Sequence, residues 1–525
     1  MGEYGRLAGA RRSWSLVAAG MALLLAAWAF ANPPGAAPDE RGHYVRALGA
    51  GNLELSGGPF VPDAAAIRSF LETGASGGKP VPGSGVATIV WTAKQTRSFA
   101  VPRRLSRTTF GCNDGSPMNS AACLDAAPVG RPTSRAPSYT GTYPPFVYVV
   151  PGAAMRTAST PAAALRLGRA LSALLSLVLL AAAAWLLLAA GDALFAAFAV
   201  AVTPMVVFCA SSLNASGPEI AAALCLVAAG LAVHRSGAGA GAWAALALSG
   251  AVLALSRSLG PVLLLALTGA LVLLHGPRVT RRALRERPHA AAGAGALLLA
   301  ALAIGVWWEI ARQPHGIEGG PTYRFAFAQS VYDLDDVARH AIGSFGALDT
   351  SLPAMLYAVW AAAAGGLVAL AGVVGSARER AGIALTLGVA LAVTMATSVF
   401  QLRHGYGVQG RHVLPVLVLV PLWCGEVLRR HSAGRGWLVP AAFALFAGGQ
   451  ALAWWVNARR HAVGTDGSWW FFGSAEWSPP GGWWPWAVLA LAGSALVLAG
   501  GLLQAQRSSR SRLRSTPPSA TTTTA

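Results

Sequence analysis

Apolar runs of about 18 to 22 residues recur along the whole chain, each long enough to cross a hydrocarbon core of roughly 30 Å as a helix. Helices suit that solvent because they satisfy their own backbone hydrogen bonds. The runs predict twelve spans, near residues 14–31, 163–190, 193–212, 218–234, 241–257, 259–276, 289–308, 352–375, 381–400, 413–428, 437–456 and 483–503. Arg6, Arg11 and Arg12 precede the first run, as in a signal peptide, yet no small-residue cleavage site follows. That run therefore reads as an uncleaved first helix with its N-terminus inside. The expected fold is an all-α polytopic membrane protein of about twelve transmembrane helices, with a small mixed extracytoplasmic subdomain after the first.

The polar segments divide the chain into a cytoplasmic N-terminus and first helix (1–31), an extracytoplasmic loop subdomain (32–160), the remaining helices (161–503, with an external loop at 309–351) and a basic tail (504–525) expected to be disordered at its STPPSATTTTA end. Only 12% of the 525 residues are charged and 54% are hydrophobic, which excludes an ordinary soluble protein. The formal charge of +19 invites a nucleic-acid reading, but the arginines sit mostly between apolar runs. HRSG at 234, HGPRVTRRALRERPH from 275, SARER from 376, LRRHSAGRG from 428 and the tail QAQRSSRSRLRS alternate with longer polar segments. Alternation of this kind obeys the positive-inside rule. It predicts a cell-membrane protein with both termini cytoplasmic, the loops 32–160, 309–351 and 457–482 outside, membrane lipids as partners and no nucleic acid.

The 32–160 segment opens with NPPGAAPDERGHYVRA. Pro38 suits the first turn of a helix, with Asp39 at or near its N-cap. If the helix continues, Asp39, His43 and Arg46 follow i, i+4, i+7 spacing and share a face, with Glu40 and Tyr44 beside them. A carboxylate there is placed to act as general base toward a hydroxyl acceptor, with Asp39, Glu40 and His43 as the catalytic candidates. Arg46 is placed to bind a phosphate. The plainer alternative is a capped amphipathic helix lying on the bilayer. The segment ends with GTYPPFVYVVPG, whose Tyr143, Phe146 and Tyr148 form either an interfacial aromatic anchor or the wall of a pocket for an isoprenoid chain or sugar.

Polar groups also collect at the predicted outer ends of later spans: Ser211, Ser212, Asn214 and Glu219, then Arg257, then Arg403, His404, Tyr406, Gln409, Arg411 and His412. Positive charge on that side opposes the orientation rule and needs a reason. An anionic lipid phosphate bound by Arg257, Arg403, Gln409 and Arg411 supplies one; structural pairing with Glu219 or Asp349 supplies another. The sharpest expectation is that Asp39, Arg257, Arg403 and Arg411 face one cavity. Cys112 and Cys123, both in an exported loop, predict a disulfide, whereas Cys209, Cys225 and Cys424 lie in apolar runs as packing residues. Asp333, Asp335 and Asp336 are the one cluster that offers a divalent cation a site, or they form a solvated acidic run.

Taken in order, PPGAAPDERGHYVRA, YPPFVY, TPM…SLNASGPE, SFGALDTSLP and VQGRHVLP resemble segments of the bacterial membrane proteins grouped as domain of unknown function 2142. The resemblance covers the chain to about residue 430. It implies a fold like that of the C-type glycosyltransferases (GT-C-like), which take sugars from polyprenyl-phosphate donors at the outer face and pass them to a glycan or lipid acceptor for cell-envelope synthesis. In that frame Asp39 matches the first-loop acid and Glu40 its neighbour. His43 and Arg46 match the positions that follow, and Gln409, Gly410 and Arg411 match a QGR segment. Two departures stand out: GAA separates Pro34 from Pro38, and ASGPE replaces an Asn-Pro-Asp type of segment around Glu219. The competing readings are a transporter or flippase of envelope lipid or polysaccharide, which predicts charged or broken helices at mid-membrane, and a non-catalytic envelope-assembly protein.

Overall fold

The computed structural model describes residues 3–60, 85–106, 110, 116–126, 132–314, 316, 319–431 and 436–515. Among them, nine helices are long and apolar enough to cross a membrane, and two bent helix pairs raise the number to eleven. Helix Ala240–Ser256 accounts for the remaining predicted span but is only 17 residues long. Core and periphery separate clearly. Helix Ser216–Val233 is buried over 94% of its apolar window and Ala354–Val374 over 17%, so the first is the centre of the bundle and the second is left to face lipid.

One predicted span is not a single helix. The stretch 193–212 divides into Asp192–Ala201 and Pro204–Ala210, bent by 69°. Pro204 lacks an N–H and drives Thr203 into extended backbone, which ends the first arm. Neutral groups cover the break. Trp360 Nε1 donates to Val200 O at 3.0 Å, Gln450 Nε2 to Val202 O at 3.3 Å, and Thr203 Oγ1 to Ala341 O at 2.7 Å. A second bend, of 103°, separates Gly260–His275 from Pro277–Glu286, so the predicted loop 277–288 is largely a basic helix crossing the end of the bundle.

The segment after the first helix is the expected mixed subdomain. Helices Glu40–Ala50 and Phe146–Met155 cross so tightly that a Cβ on Gly152 would lie 1.8 Å from the carbonyl oxygen of Ala47. An antiparallel sheet of Gly58–Pro59, Arg97–Ala100 and Arg135–Ser138 lies against them. Tyr44, Leu48, Phe99, Leu105, Tyr148 and Met155 fill the space between. Cys123 is disulfide-bonded; Cys112, its predicted partner, lies outside the described residues. Cys209, Cys225 and Cys424 are free and buried.

Candidate functional site

At the end of the bundle that carries the subdomain, Asp39 meets Arg411. Asp39 holds the N-cap position of helix Glu40–Ala50, but not as the sequence suggests. Its φ is 64° and its side chain makes no capping hydrogen bond. The left-handed backbone, which Asp tolerates better than most residues, turns the carboxylate toward another part of the chain. Arg411 Nη2 donates to Asp39 Oδ2 at 2.6 Å, and its Nη1 donates to Pro38 O at 3.2 Å. Arg411 reaches this point because Gly410 has no side chain. A Cβ there would come within 2.1 Å of Ala341 N, so only glycine lets helix Gly410–Leu417 settle against Leu334–Gly343.

The pair is incompletely satisfied. Arg411 is 4% exposed, and its Nε is buried without a hydrogen-bond partner. Gln409 Oε1, two residues back, is buried without a partner as well. A group that satisfies both offers an acceptor oxygen to the first and a hydroxyl or N–H to the second.

Arg257 stands beyond the end of helix Ala240–Ser256. It donates to Glu219 Oε2 at 3.4 Å and lies 5.7 Å from the centre of the Tyr143 ring. His43 is within electrostatic reach of Asp39, Arg411 and Arg257. Its Nδ1 shares a 2.8 Å hydrogen bond with the Tyr148 hydroxyl, against which the ring stacks. Burial pushes its pKa down to about 3; Arg411 and Arg257 push the same way and Asp39 opposes them. His43 is therefore an uncharged ring at neutral pH, held by its hydrogen bond to Tyr148.

Three other sequence candidates serve the scaffold. Both Glu40 oxygens are engaged by Arg169, at 2.7 and 2.5 Å, and Gly35 N donates to Oε2 at 2.9 Å. Arg46 is fully buried and donates to Tyr143 O at 2.7 Å and Leu55 O at 2.7 Å, with its charge over the Phe99 ring. Burial lowers its pKa to about 10, which leaves it charged. It ties the two ends of the subdomain together, and its Nη1 is buried without a hydrogen-bond partner. Arg403 donates to Gly320 O and Pro321 O and covers the Tyr323 ring. The acidic cluster is also in use: Asp335 pairs with Arg339 at 2.6 Å and Asp333 accepts from Gln329 at 2.7 Å. Among the described residues no three His, Cys, Asp or Glu side chains are placed to hold a metal.

Sequence reasoning missed Arg169 and Arg460. Arg169 is 3% exposed and, besides Glu40, donates to the carbonyls of Ala29, Asn32 and Pro33, which fixes the chain as it leaves the first helix. Arg460 pairs with Asp349 at 2.7 Å and donates to Asn119 O at 2.8 Å. The available signal for Arg169 was a guanidinium inside an apolar run, in ALRLGRALS.

No curated protein sequence matches the chain. Among solved structures, the chain is similar to ArnT from Cupriavidus metallidurans bound to undecaprenyl phosphate. The likeness has 14% identity and a TM-score of 0.40 and covers 97% of this chain and 79% of that one. Below 0.5, such a score does not carry a shared function. The sequence profile of a family described as "Predicted membrane protein (DUF2142)" matches residues 22–420, about three quarters of the chain, and the protein belongs to that family.

Proposed function

We propose that this protein is a membrane glycosyltransferase. It moves a sugar from a polyprenyl-phosphate donor to a hydroxyl of a glycan or lipid acceptor, at the outer face of the cytoplasmic membrane, in cell-envelope synthesis. The observation that carries this reading is the Asp39–Arg411 pair with its two orphaned neighbours, Arg411 Nε and Gln409 Oε1. Asp39 takes the acceptor proton as the acceptor oxygen bonds to the anomeric carbon. The bond from that carbon to the phosphate oxygen breaks, and the electron pair leaves with the polyprenyl phosphate. Arg411, with Arg257 behind it, offsets the charge developing on that phosphate. His43 and Tyr148 hold the acid's surroundings as a neutral, hydrogen-bonded wall.

The orientation follows the charge rule: the end bearing 32–160 is outside and the Arg-rich end inside. Reporter fusions within 32–160 and at residue 283 test it, and a periplasm-dependent reporter active at 283 would reverse the assignment. The bend at Thr203 favours the transporter reading, since broken helices often line transport sites. Here, however, Trp360 and Gln450 cap the freed carbonyls of Val200 and Val202 with neutral donors, and Thr203 ties the break to the Ala341 carbonyl of another helix. Consumption of a lipid-linked sugar by purified protein, lost in Asp39→Asn, is the expected result. Wild-type turnover in Asp39→Asn would remove Asp39 from the chemistry.

A further inference from the structure

A second polar site lies at the opposite end of the bundle. Helix Ser216–Val233 starts beside Glu219 and ends at His234, so its 18 residues separate the two sites by roughly 27 Å at about 1.5 Å per residue. There a cavity of about 530 Å³ opens between His234, the bend at His275, the start of helix Ala377–Arg403 and the end of helix Leu419–Arg430. Such a volume suits a small ligand or headgroup.

Its lining has more cations than anions. Arg235, Arg282, Arg378, Arg429 and Arg430 face two carboxylates, Glu379 and Glu426. Glu426 alone is shared by Arg235 at 3.2 Å, Arg429 at 2.8 Å and Arg430 at 2.9 Å. Glu379 is engaged by His431 at 2.7 Å and by Ser376 through its own capping box. Arg378 has a backbone carbonyl, His275 O at 3.1 Å, where a counter-ion would be expected. A buried donor in the lining, Arg235 Nε, has no acceptor. An unmet donor beside surplus guanidinium groups calls for an acceptor-only ligand. Across the mouth runs the basic helix Pro277–Glu286, with Arg278, Arg281 and Arg285 exposed, which draws anions toward this end.

We propose that this cavity binds a phosphate group, through its oxygens, with Arg235 and Arg378 as the recognising donors. Phosphate fits better than carboxylate because the donors approach from separate elements, and a tetrahedral oxyanion accepts from several directions. The phosphate belongs either to an anionic lipid headgroup or to a soluble phosphorylated compound. This site is independent of the sugar-transfer reading, and either can fail without the other.

Thermal unfolding of the full-length protein in uncharged detergent separates the sources. One arm titrates inorganic phosphate against chloride at matched ionic strength. The other titrates phosphatidylglycerol against phosphatidylcholine. Stabilisation by phosphatidylglycerol alone assigns a lipid headgroup; stabilisation by inorganic phosphate assigns a soluble ligand. In Arg378→Gln the apparent affinity should fall at least about tenfold, the loss expected for a charge-assisted contact. Arg324→Gln, on the exposed face of helix Tyr323–Tyr332 and away from the cavity, should titrate like the wild type. Should Arg378→Gln fail to fold, Arg235→Gln, at a side chain 25% exposed, makes the same comparison. No stabilisation in either arm, or equal affinity in the arginine variants, overturns the proposal.

Discussion

The two ends of the bundle use charge in opposite ways. At the end carrying the subdomain, acids and arginines pair one to one across long stretches of sequence. Asp39 and Arg411 are 372 residues apart, Glu40 and Arg169 129, and Asp349 and Arg460 111. At the other end Glu426 pairs with Arg429 and Arg430 on its own helix, and the arginines outnumber the acids around it. Burial differs as well. The Glu40 and Arg169 side chains are 0% and 3% exposed, whereas Arg429 and Arg430 are 30% and 34% exposed. The first arrangement holds distant segments in register around a site. The second leaves surplus charge at the surface, where the membrane's orientation rule and an anionic ligand can use it. Variants at the two ends should therefore differ in kind as well as in size.

The largest effect should come from the Glu40–Arg169 clasp. Removing one member leaves the other charge buried without its partner, which costs about 3–5 kcal/mol. Glu40→Gln or Arg169→Gln should cause a large fall in melting temperature, or loss of the monodisperse species on size-exclusion chromatography. Stability within about 1 kcal/mol of wild type would place this pair with ordinary surface bridges and erase the contrast between the ends.

Asp39→Asn should separate chemistry from scaffold at the same end. Loss of a general base lowers turnover by about 10²–10⁴. Asn still accepts the left-handed backbone, and Asp39 is 22% exposed, so the melting temperature should fall by less than in Glu40→Gln even though Arg411 loses its counter-ion. A fall in stability as large as that of Glu40→Gln would make Asp39 another clasp and not the reacting acid.

How much of this was legible in the sequence depends on the range of each interaction. The spans were legible, because length and hydropathy alone decide whether a segment can cross a bilayer. The break at 202–203 was written in Thr203-Pro204, but the apolar run around it is uninterrupted and masked it. Asp39 and Arg411 are both candidate site residues on the strength of local motifs. Their contact was not fixed by any local rule, since it depends on how Gly410 lets one helix meet another. His43 and Arg46 shared a predicted helix face with Asp39, but spacing gives direction without surroundings. Tyr148 and the Tyr143 carbonyl, each about a hundred residues on, decide what those two side chains do.

The His43 environment predicts a pH dependence of stability that originates at the subdomain end. The folded ring has a pKa near 3, against 6.5 for an exposed imidazole. Between these values the unfolded chain binds a proton that the folded one does not, so stability falls as pH falls below 6.5. The slope is at most about 1.4 kcal/mol per pH unit for this one proton. His43→Gln should flatten melting temperature against pH over that window, whatever its effect at pH 7. An unchanged slope would mean that His43 is solvated and open to protonation.

The smallest effect is expected at the Arg-rich end. Arg429 donates to both Glu426 oxygens, at 2.8 Å each, which at a buried site would make it a strong contact. Its side chain is 30% exposed and lies one helical turn from its partner, so water and local geometry reduce its net value. Glu426, 3% exposed, would keep Arg235 and Arg430 after Arg429→Gln, so no buried charge is left bare. The variant should lose only about 0.2–1 kcal/mol, and less at high salt, where exposed pairs are screened. Glu426→Gln should cost more, since it removes the one carboxylate that three guanidinium groups share. Melting curves of the two variants at low and high salt test that order directly. If Arg429→Gln instead matched Glu40→Gln, the Arg-rich end would be a second scaffold clasp, and its surplus charge would not be available for a ligand.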